Sequence, residues 1–201
     1  MGTVRVIGGN YRGKTIPVSL KAHDIIDITP QKVKGAVFST MGEDMHGRSF
    51  LDLFAGSGQM GIEALSRGAS PVIFSESDRR RCKRIQSFID NNCPGAEAMV
   101  LNFPARRTLR YLSNRNISVD CLFCDPPYVR EKGVVQKYDR IIEEAESYGT
   151  VRDSGMIIVQ FFSTNVLRTE IGSWIMRDLK KYGTTSVAYY RHMDREQEEG
   201  D

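Results

Sequence analysis

The stretch LDLFAGSGQMG, Leu51 to Gly61, decides how this chain is read. It begins as an apolar strand and ends as the opening of a helix, QMGIEALSRGA (59–69). Between them Gly56, Gly58 and Gly61 stand in the spacing G-x-G-x-x-G. Glycines at those points permit a tight turn and let a ligand approach the backbone closely. A glycine loop between strand and helix is the context that a nucleotide-type binding fingerprint requires. Glu76 lies 20 residues beyond Gly56, at the end of the next strand-like run, PVIFSE (71–76). A carboxylate there can accept hydrogen bonds from two ribose hydroxyls. These signals fit NAD, FAD and S-adenosylmethionine alike. Asp52 shifts the balance, because an acid inside an apolar strand needs a partner. The cationic amino end of a methionine moiety supplies one, and a dinucleotide does not.

Outward from the loop, strand-like and helix-like segments alternate. RRRCKRIQSFIDNN (79–92) carries Cys82, Ile85, Phe88 and Ile89 as an apolar stripe. Then come a strand at EAMVLN (97–102), a short helix at ARRTLRYLSNR (105–115) and a strand at VDCLFC (119–124). A helix at VVQKYDRIIEEAESYG (134–149) precedes a strand at GMIIVQFF (155–162). Such alternation predicts a parallel sheet covered on both faces. SWIMRDLKKYG (173–183) and TSVAYYRHM (185–193) read as an antiparallel hairpin at a sheet edge. Upstream, VRVIGG (4–9) and NYRGKTIPV (10–18) read as another hairpin, and ITPQKVKGAVFSTMG (28–42) as a helix. There, Thr29 is expected as the cap, Pro30 in the first turn, and Val33, Val37 and Met41 inward. The expected organisation is an N-terminal β-hairpin extension (1–28), one α/β domain (29–193) and an acidic disordered tail (194–201).

Asp125-Pro126-Pro127-Tyr128 stops the strand 119–124. Two prolines cannot continue a sheet ladder, so the turn is stiff and sits where α/β proteins bind ligands. It presents a carboxylate, a carbonyl and an aromatic ring. The first two can hold an exocyclic amine with its lone pair aimed at a methyl group, and the ring can stack on a flat base.

Bulk properties narrow the partners. The chain of 201 residues is 40% hydrophobic and 26% charged, which fits one globular domain rather than a disordered chain. The start has no apolar leader and no apolar run reaches membrane-span length, so a cytoplasmic protein is expected. The overall charge is +3, but the last eight residues hold five acids and one arginine, leaving +7 on residues 1–193. That excess suits a polyanion. Candidate contacts are Arg5, Arg12 and Lys14 in the first hairpin, with Lys32 and Lys34 beyond it. The run RRRCKR (79–84) reads instead as a solvated helix face. Cys121-x-x-Cys124 has no second Cys/His pair to complete a zinc site, so these thiols are expected as buried small hydrophobes and no metal is expected. His23, His46 and His192 sit in no motif and are expected at the surface.

With RVIGGNYRGK (5–14) ahead and TPQKVKGAVFS (29–39) between, these motifs resemble the amino-methyltransferases dependent on S-adenosylmethionine. The likeness is nearest to the bacterial 16S ribosomal RNA guanine-N2 methyltransferases of the guanine 966 type, and it covers about residues 4–191. It implies a Rossmann-like class I methyltransferase: a seven-stranded, mostly parallel sheet with an antiparallel C-terminal hairpin, plus a hairpin extension that helps hold RNA. By match, Thr29, Asp52, Phe54, Gly56, Ser57 and Gly58 fall at cofactor positions and Glu76 at the ribose. Asp125, Pro126, Pro127 and Tyr128 fall on the catalytic tetrapeptide. Departures occur at Asp27, Gln31 and Gly35, and Pro104 stands where the family carries a small polar residue near the adenine, leaving Asn102 or Phe103 to serve. The implied partner is small-subunit ribosomal RNA or the 30S particle, met by a monomer. An adenine-N6 methyltransferase of DNA or RNA, and an RNA-binding relative of weak activity, are the alternatives.

Overall fold

The computed structural model describes residues 2–18, 29–127, 133, 134 and 136–193. Tyr128, Asp27, His23 and the acidic tail therefore lie outside the described residues. The chain forms two compact units, Met1–Ala105 and Arg106–Asp201.

In the first unit β1 (Gly2–Arg5) and β2 (Thr15–Val18) make the expected antiparallel hairpin, with Gly2 opposite Val18 and Arg5 opposite Thr15. Period-2 alternation buries Val4, Ile16 and Val18 and leaves Arg5 exposed. Helix α1 (Gln31–Met41) buries Val33, Val37 and Met41 at the expected spacing, with Lys34 and Phe38 beside them. Its cap is not Thr29. The Pro30 carbonyl accepts from Lys34 N–H at 3.0 Å, so Pro30 is the residue flanking the first turn, and no side chain caps it. Thr29 lies one residue too early and is buried. With the Gln59 amide oriented by its hydrogen bonds, Gln59 Nε2 donates to the Thr29 carbonyl at 3.1 Å and Oε1 accepts from its N–H.

Strands β3 (Phe50–Asp52), β4 (Val72–Ser75) and β5 (Ala98–Leu101) then run parallel in that order, with Phe50 opposite Val72 and Val72 opposite Ala98. Helices α2 (Gln59–Ser66) and α3 (Arg79–Asn92) make the crossovers. α3 buries Cys82, Ile85, Phe88 and Ile89, the stripe its 3.6-residue period predicts. Asp78 caps it, accepting from Arg80 N–H at 2.7 Å and Arg81 N–H at 3.2 Å.

The second unit contains α4 (Ala105–Ser113), β6 (Val119–Cys124), β7 (Gly133–Val134), α5 (Gln136–Ser147), β8 (Val151–Phe162), β9 (Asn165–Val166), β10 (Glu170–Ile171), β11 (Trp174–Tyr182) and β12 (Thr185–His192). Five strands join in the order β10-β11-β12-β8-β6. Among these five strands only β6–β8 pairs in parallel, and β11–β12 is the expected terminal hairpin, turning through Gly183 at φ 63°. The two-residue edge strand β10 and the short β7–β9 pair add to the elements predicted from sequence.

One buried carboxylate organises the first unit. Glu63 on α2 is 0% exposed and accepts from Ile7 N–H at 2.9 Å and Gly8 N–H at 2.8 Å. It also pairs with Lys34 Nζ at 3.0 Å and Arg67 Nε at 3.1 Å. Lys34, expected on an RNA-facing surface, is thus fully buried, and its Nζ also donates to the Arg5 carbonyl at 2.7 Å. Burial pushes its pKa down, and Glu63 pulls it back up. The reason for the correction is local: position 34 falls on the inward stripe of α1, where a cation persists only if paired. Gly9, at φ 70°, lies so close to the Ser66 carbonyl that any Cβ would clash. Asn10 N–H donates to that carbonyl at 2.6 Å and Tyr11 N–H to Ser66 Oγ at 2.8 Å. The segment RVIGGNYRGK is therefore docked on the end of α2 mainly through its backbone.

Glu63→Ala should be the most damaging change at this junction, because it strands a buried ammonium and two backbone donors. The expected loss is about 3–5 kcal/mol in urea unfolding. Lys34→Met should cost less, since Glu63 keeps Arg67 and both N–H groups. An order reversed from this would contradict the assignment of Glu63 as the hub.

Candidate functional site

The glycine loop takes its shape from backbone that other residues rarely adopt. Gly56 sits at φ 53° and Gly58 at φ 79°. Gly58 is also the N-terminal flank of α2, and a Cβ there would lie 2.8 Å from Ile85 Cγ1. Gly61 serves differently: its missing Cβ would fall 2.2 Å from the Phe74 ring, so it lets α2 pack down on β4. Ala55 N–H donates to the Ser75 carbonyl at 2.9 Å, and Gly58 N–H to the Ala55 carbonyl at 2.6 Å, closing the turn.

Two acids flank that turn. Glu76 Oε2 accepts from Gly56 N–H at 2.9 Å, while Oε1 accepts from Asp78 N–H at 2.7 Å; Arg81 lies 3.7 Å from Oε2. Asp52 is 1% exposed, and its Oδ2 accepts from Gly61 N–H at 3.0 Å. Burial pushes the Asp52 pKa up to about 7, the Gly61 N–H pulls it down and the Glu76 charge adds to the rise. Ser57 contributes a buried hydroxyl that has no hydrogen-bond partner among the described residues. Phe54, three residues earlier, is half-buried.

These residues fit a cationic nucleoside ligand better than a pyrophosphate. In a dinucleotide site the helix N-terminus is left for phosphate. Here Asp52 already takes the Gly61 N–H, and two buried carboxylates surround the turn, which repels a polyanion and favours a cation. Oε1 of Glu76 also accepts from Ser77 Oγ at 3.3 Å, and Oε2 retains a further lone pair for a hydroxyl. Asn102 has a supporting position: its Nδ2 donates to the carbonyls of Glu76 at 3.0 Å and Ser77 at 2.8 Å, fixing the end of β4. The Phe103 carbonyl accepts from Ser75 Oγ at 3.3 Å.

In the second unit β6 ends at Cys124, and the half-buried Asp125 follows. Asp125 Oδ2 accepts from Gln160 Nε2 at 2.6 Å. Gln160 is 0% exposed on β8, whose neighbouring positions are otherwise apolar. Pro126 is buried; Pro127 is exposed, with its carbonyl accepting from Lys137 Nζ at 2.9 Å.

Gln160 and Glu63 are the polar residues that reading the sequence misses. The available signal was an amide or acid at an inward position of an apolar run. Of the five cations expected to meet RNA, Arg5, Arg12 and Lys32 are exposed and Lys14 is half-buried, 3.4 Å from Asn92 Oδ1. Lys34 is not available. His46 is exposed beside Asp44, whereas His192 packs edge-on against Trp174, with ring centroids 5.5 Å apart, and is not the surface residue expected. Cys121 and Cys124 are buried as expected, and no cysteine is in a disulfide. Among the described residues no three His, Cys, Asp or Glu side chains group to hold a metal, and no helix is long and apolar enough to cross a membrane.

The sequence profile of the family described as "Conserved hypothetical protein 95" matches residues 4–191. A Bacillus subtilis (strain 168) protein, YlbH, named provisionally as an rRNA methyltransferase, is 32% identical over 190 residues, covering 94% of this chain and 98% of that one. Ribosomal RNA small subunit methyltransferase D of Escherichia coli (strain K12) is 29% identical over 200 residues, 100% of this chain and 94% of the relative. The solved structure of Escherichia coli yhhF, described provisionally as a methyltransferase, superposes with a TM-score of 0.78 at 27% identity, over 95% of this chain and 98% of that chain.

Asp52 makes stability depend on pH in a specific direction. Its folded pKa, about 7, lies above its unfolded value, so its contribution is fully present below the unfolded pKa of about 3.9 and is lost as pH rises through about 7. Asp52→Asn keeps an acceptor for Gly61 N–H but removes the titration. Between about pH 4 and pH 7 the wild type should lose stability relative to Asp52→Asn, by at most about 1.4 kcal/mol per pH unit. Parallel pH profiles of the two proteins in urea would contradict the assignment.

Proposed function

The chain belongs to the conserved hypothetical protein 95 family, and from that premise we propose that it is an S-adenosylmethionine-dependent methyltransferase whose acceptor is the exocyclic N2 amine of a guanine in small-subunit ribosomal RNA, of the guanine 966 type. It acts in the cytoplasm as a monomer. The observation that carries the reading is Asp125, a carboxylate fixed by Gln160 at 2.6 Å where a strand is stopped by two prolines.

When bound, the donor supplies a sulfonium methyl group, an electrophile that needs alignment more than activation. Glu76 would accept from its ribose hydroxyls, and the buried Ser57 hydroxyl would gain a partner. Burial pushes the Asp52 pKa up to about 7, and the donor's ammonium group would hold it ionised. Thr29, Phe54, Gly56, Gly58, Asn102 and Phe103 shape the remaining wall.

At the acceptor, the Asp125 carboxylate and the Pro126 carbonyl take the two N2 hydrogens. The amine lone pair then points along the line of displacement. Transfer would form the N–C bond as the C–S bond breaks, and Asp125 would meet the positive charge that develops on nitrogen. The proton leaves the alkylated nitrogen afterwards. Tyr128 is the expected stacking ring for the extruded base. Gln160 is a positioning residue: its Nε2 holds one oxygen of Asp125.

The test is labelled methyl transfer into small-subunit particles from a strain lacking the gene, with mapping of the modified base. Modification of a guanine N2 is expected; modification of an adenine N6 would replace the acceptor. Asp125→Ala should slow single-turnover transfer by about 10²–10³-fold with donor affinity little changed. A wild-type rate would remove Asp125 from the mechanism.

Gln160→Glu should make the rate pH-dependent. A proton shared between the two carboxyls preserves a donor to Asp125, and its loss sets two anions against each other. The variant should therefore be most active at low pH and fall as pH rises, with no such fall in wild type. Identical profiles would leave Gln160 a packing residue.

A further inference from the structure

The outer face of α3 borders a cavity of about 360 Å³ whose opposite wall is β2 of the first hairpin. Lys83, Ser87 and Asn91 follow at intervals of four residues, so one helix face presents a cation, a hydroxyl and an amide in a row. Arg84 adds a second cation, and Thr15 supplies a hydroxyl from β2. Among the described residues no acidic side chain lines the cavity. Asn92, also in the lining, accepts from Lys14 Nζ at 3.4 Å, which adds a third cation at the rim.

The remaining charges of α3 are partly spent within the fold. Arg80 pairs with Asp78 at 3.1 Å and Arg81 approaches Glu76 at 3.7 Å. Lys83 and Arg84 are exposed and make no ion pair among the described residues. Sequence alone makes the run 79–84 a solvated face. The structure separates it into arginines that hold the start of the helix and two cations that edge a concave surface.

We propose that this groove binds the sugar-phosphate backbone of the substrate RNA. The inference rests on the ribosomal RNA reading above and adds a surface to it. The volume is at the lower end of ligand sites, room for about one nucleotide unit at a time. Two or three cations beside hydroxyl and amide donors match a phosphodiester, which accepts from both kinds of group. A protein partner would be expected to find a larger apolar centre, and the hairpin cations Arg5 and Arg12 extend the positive surface in the same unit.

The experiment uses the full chain and unmodified 16S ribosomal RNA from a strain lacking the gene, with binding measured across a salt series. Lys83→Ala/Arg84→Ala should lower affinity about 10-fold near physiological salt and reduce the salt slope by about two phosphate contacts. Donor affinity by calorimetry should not change, and methylation of the particle should show a raised KM with kcat retained. Arg107→Ala/Arg110→Ala, an equal loss of charge on α4, should have a smaller effect on both. A wild-type salt slope in the Lys83/Arg84 variant, or an equal loss in the α4 variant, overturns the groove. A wild-type protein that binds the RNA but transfers no methyl group refutes the enzymatic reading instead, and the groove is then judged by the difference in binding alone.

Discussion

The hydrogen bond from Gly56 N–H to Glu76, 2.9 Å long and buried, is the constraint on which the candidate site depends. A loop of small residues between a strand and a helix has many conformations available. A carboxylate at the end of the neighbouring strand selects one by pairing with a donor that would otherwise be buried without a partner. Glu76 is in turn fixed by Asp78 N–H, and Asn102 grips the carbonyls behind it. The same turn leaves the Ser57 hydroxyl without a partner among the described residues and leaves Asp52 close enough to Glu76 for their charges to interact. A cation resolves that electrostatic tension, and a sulfonium nucleoside with an ammonium group brings two.

Glu63 repeats the device for the N-terminal segment. One buried acid collects two backbone donors and two cations, so a hairpin outside the alternating α/β pattern is locked to α2. The consequence for function is a division of labour within RVIGGNYRGK. Its glycines and backbone make the dock, whereas Arg5 and Arg12 remain outside it. Burial of Lys34 removes one cation from the surface open to a polyanion.

Much of the architecture was legible because it rests on local periodicity. The α3 stripe, the inward residues of α1, the terminal hairpin and the glycine loop all follow from spacing within one element. What was not legible depends on partners distant in sequence. Lys34 reads as surface because its charge is visible and its partner, 29 residues on, is not. Gln160 reads as one residue of an apolar strand until Asp125 is seen against it. Thr29 has the chemistry of a cap, but hydrogen-bond register gave that place to Pro30. Strands of two residues, such as β10, are too short for period-2 alternation to register.

The central claim is that a carboxylate-locked glycine loop holds the methyl donor, and calorimetric titration of S-adenosylmethionine and its demethylated product tests it most directly. Both should bind the wild type, and Glu76→Ala should weaken binding by about 1–3 kcal/mol, the scale of losing hydrogen bonds to a charged acceptor. Equal affinity in the two proteins, or tight binding of NAD with none of the methyl donor, would contradict the account.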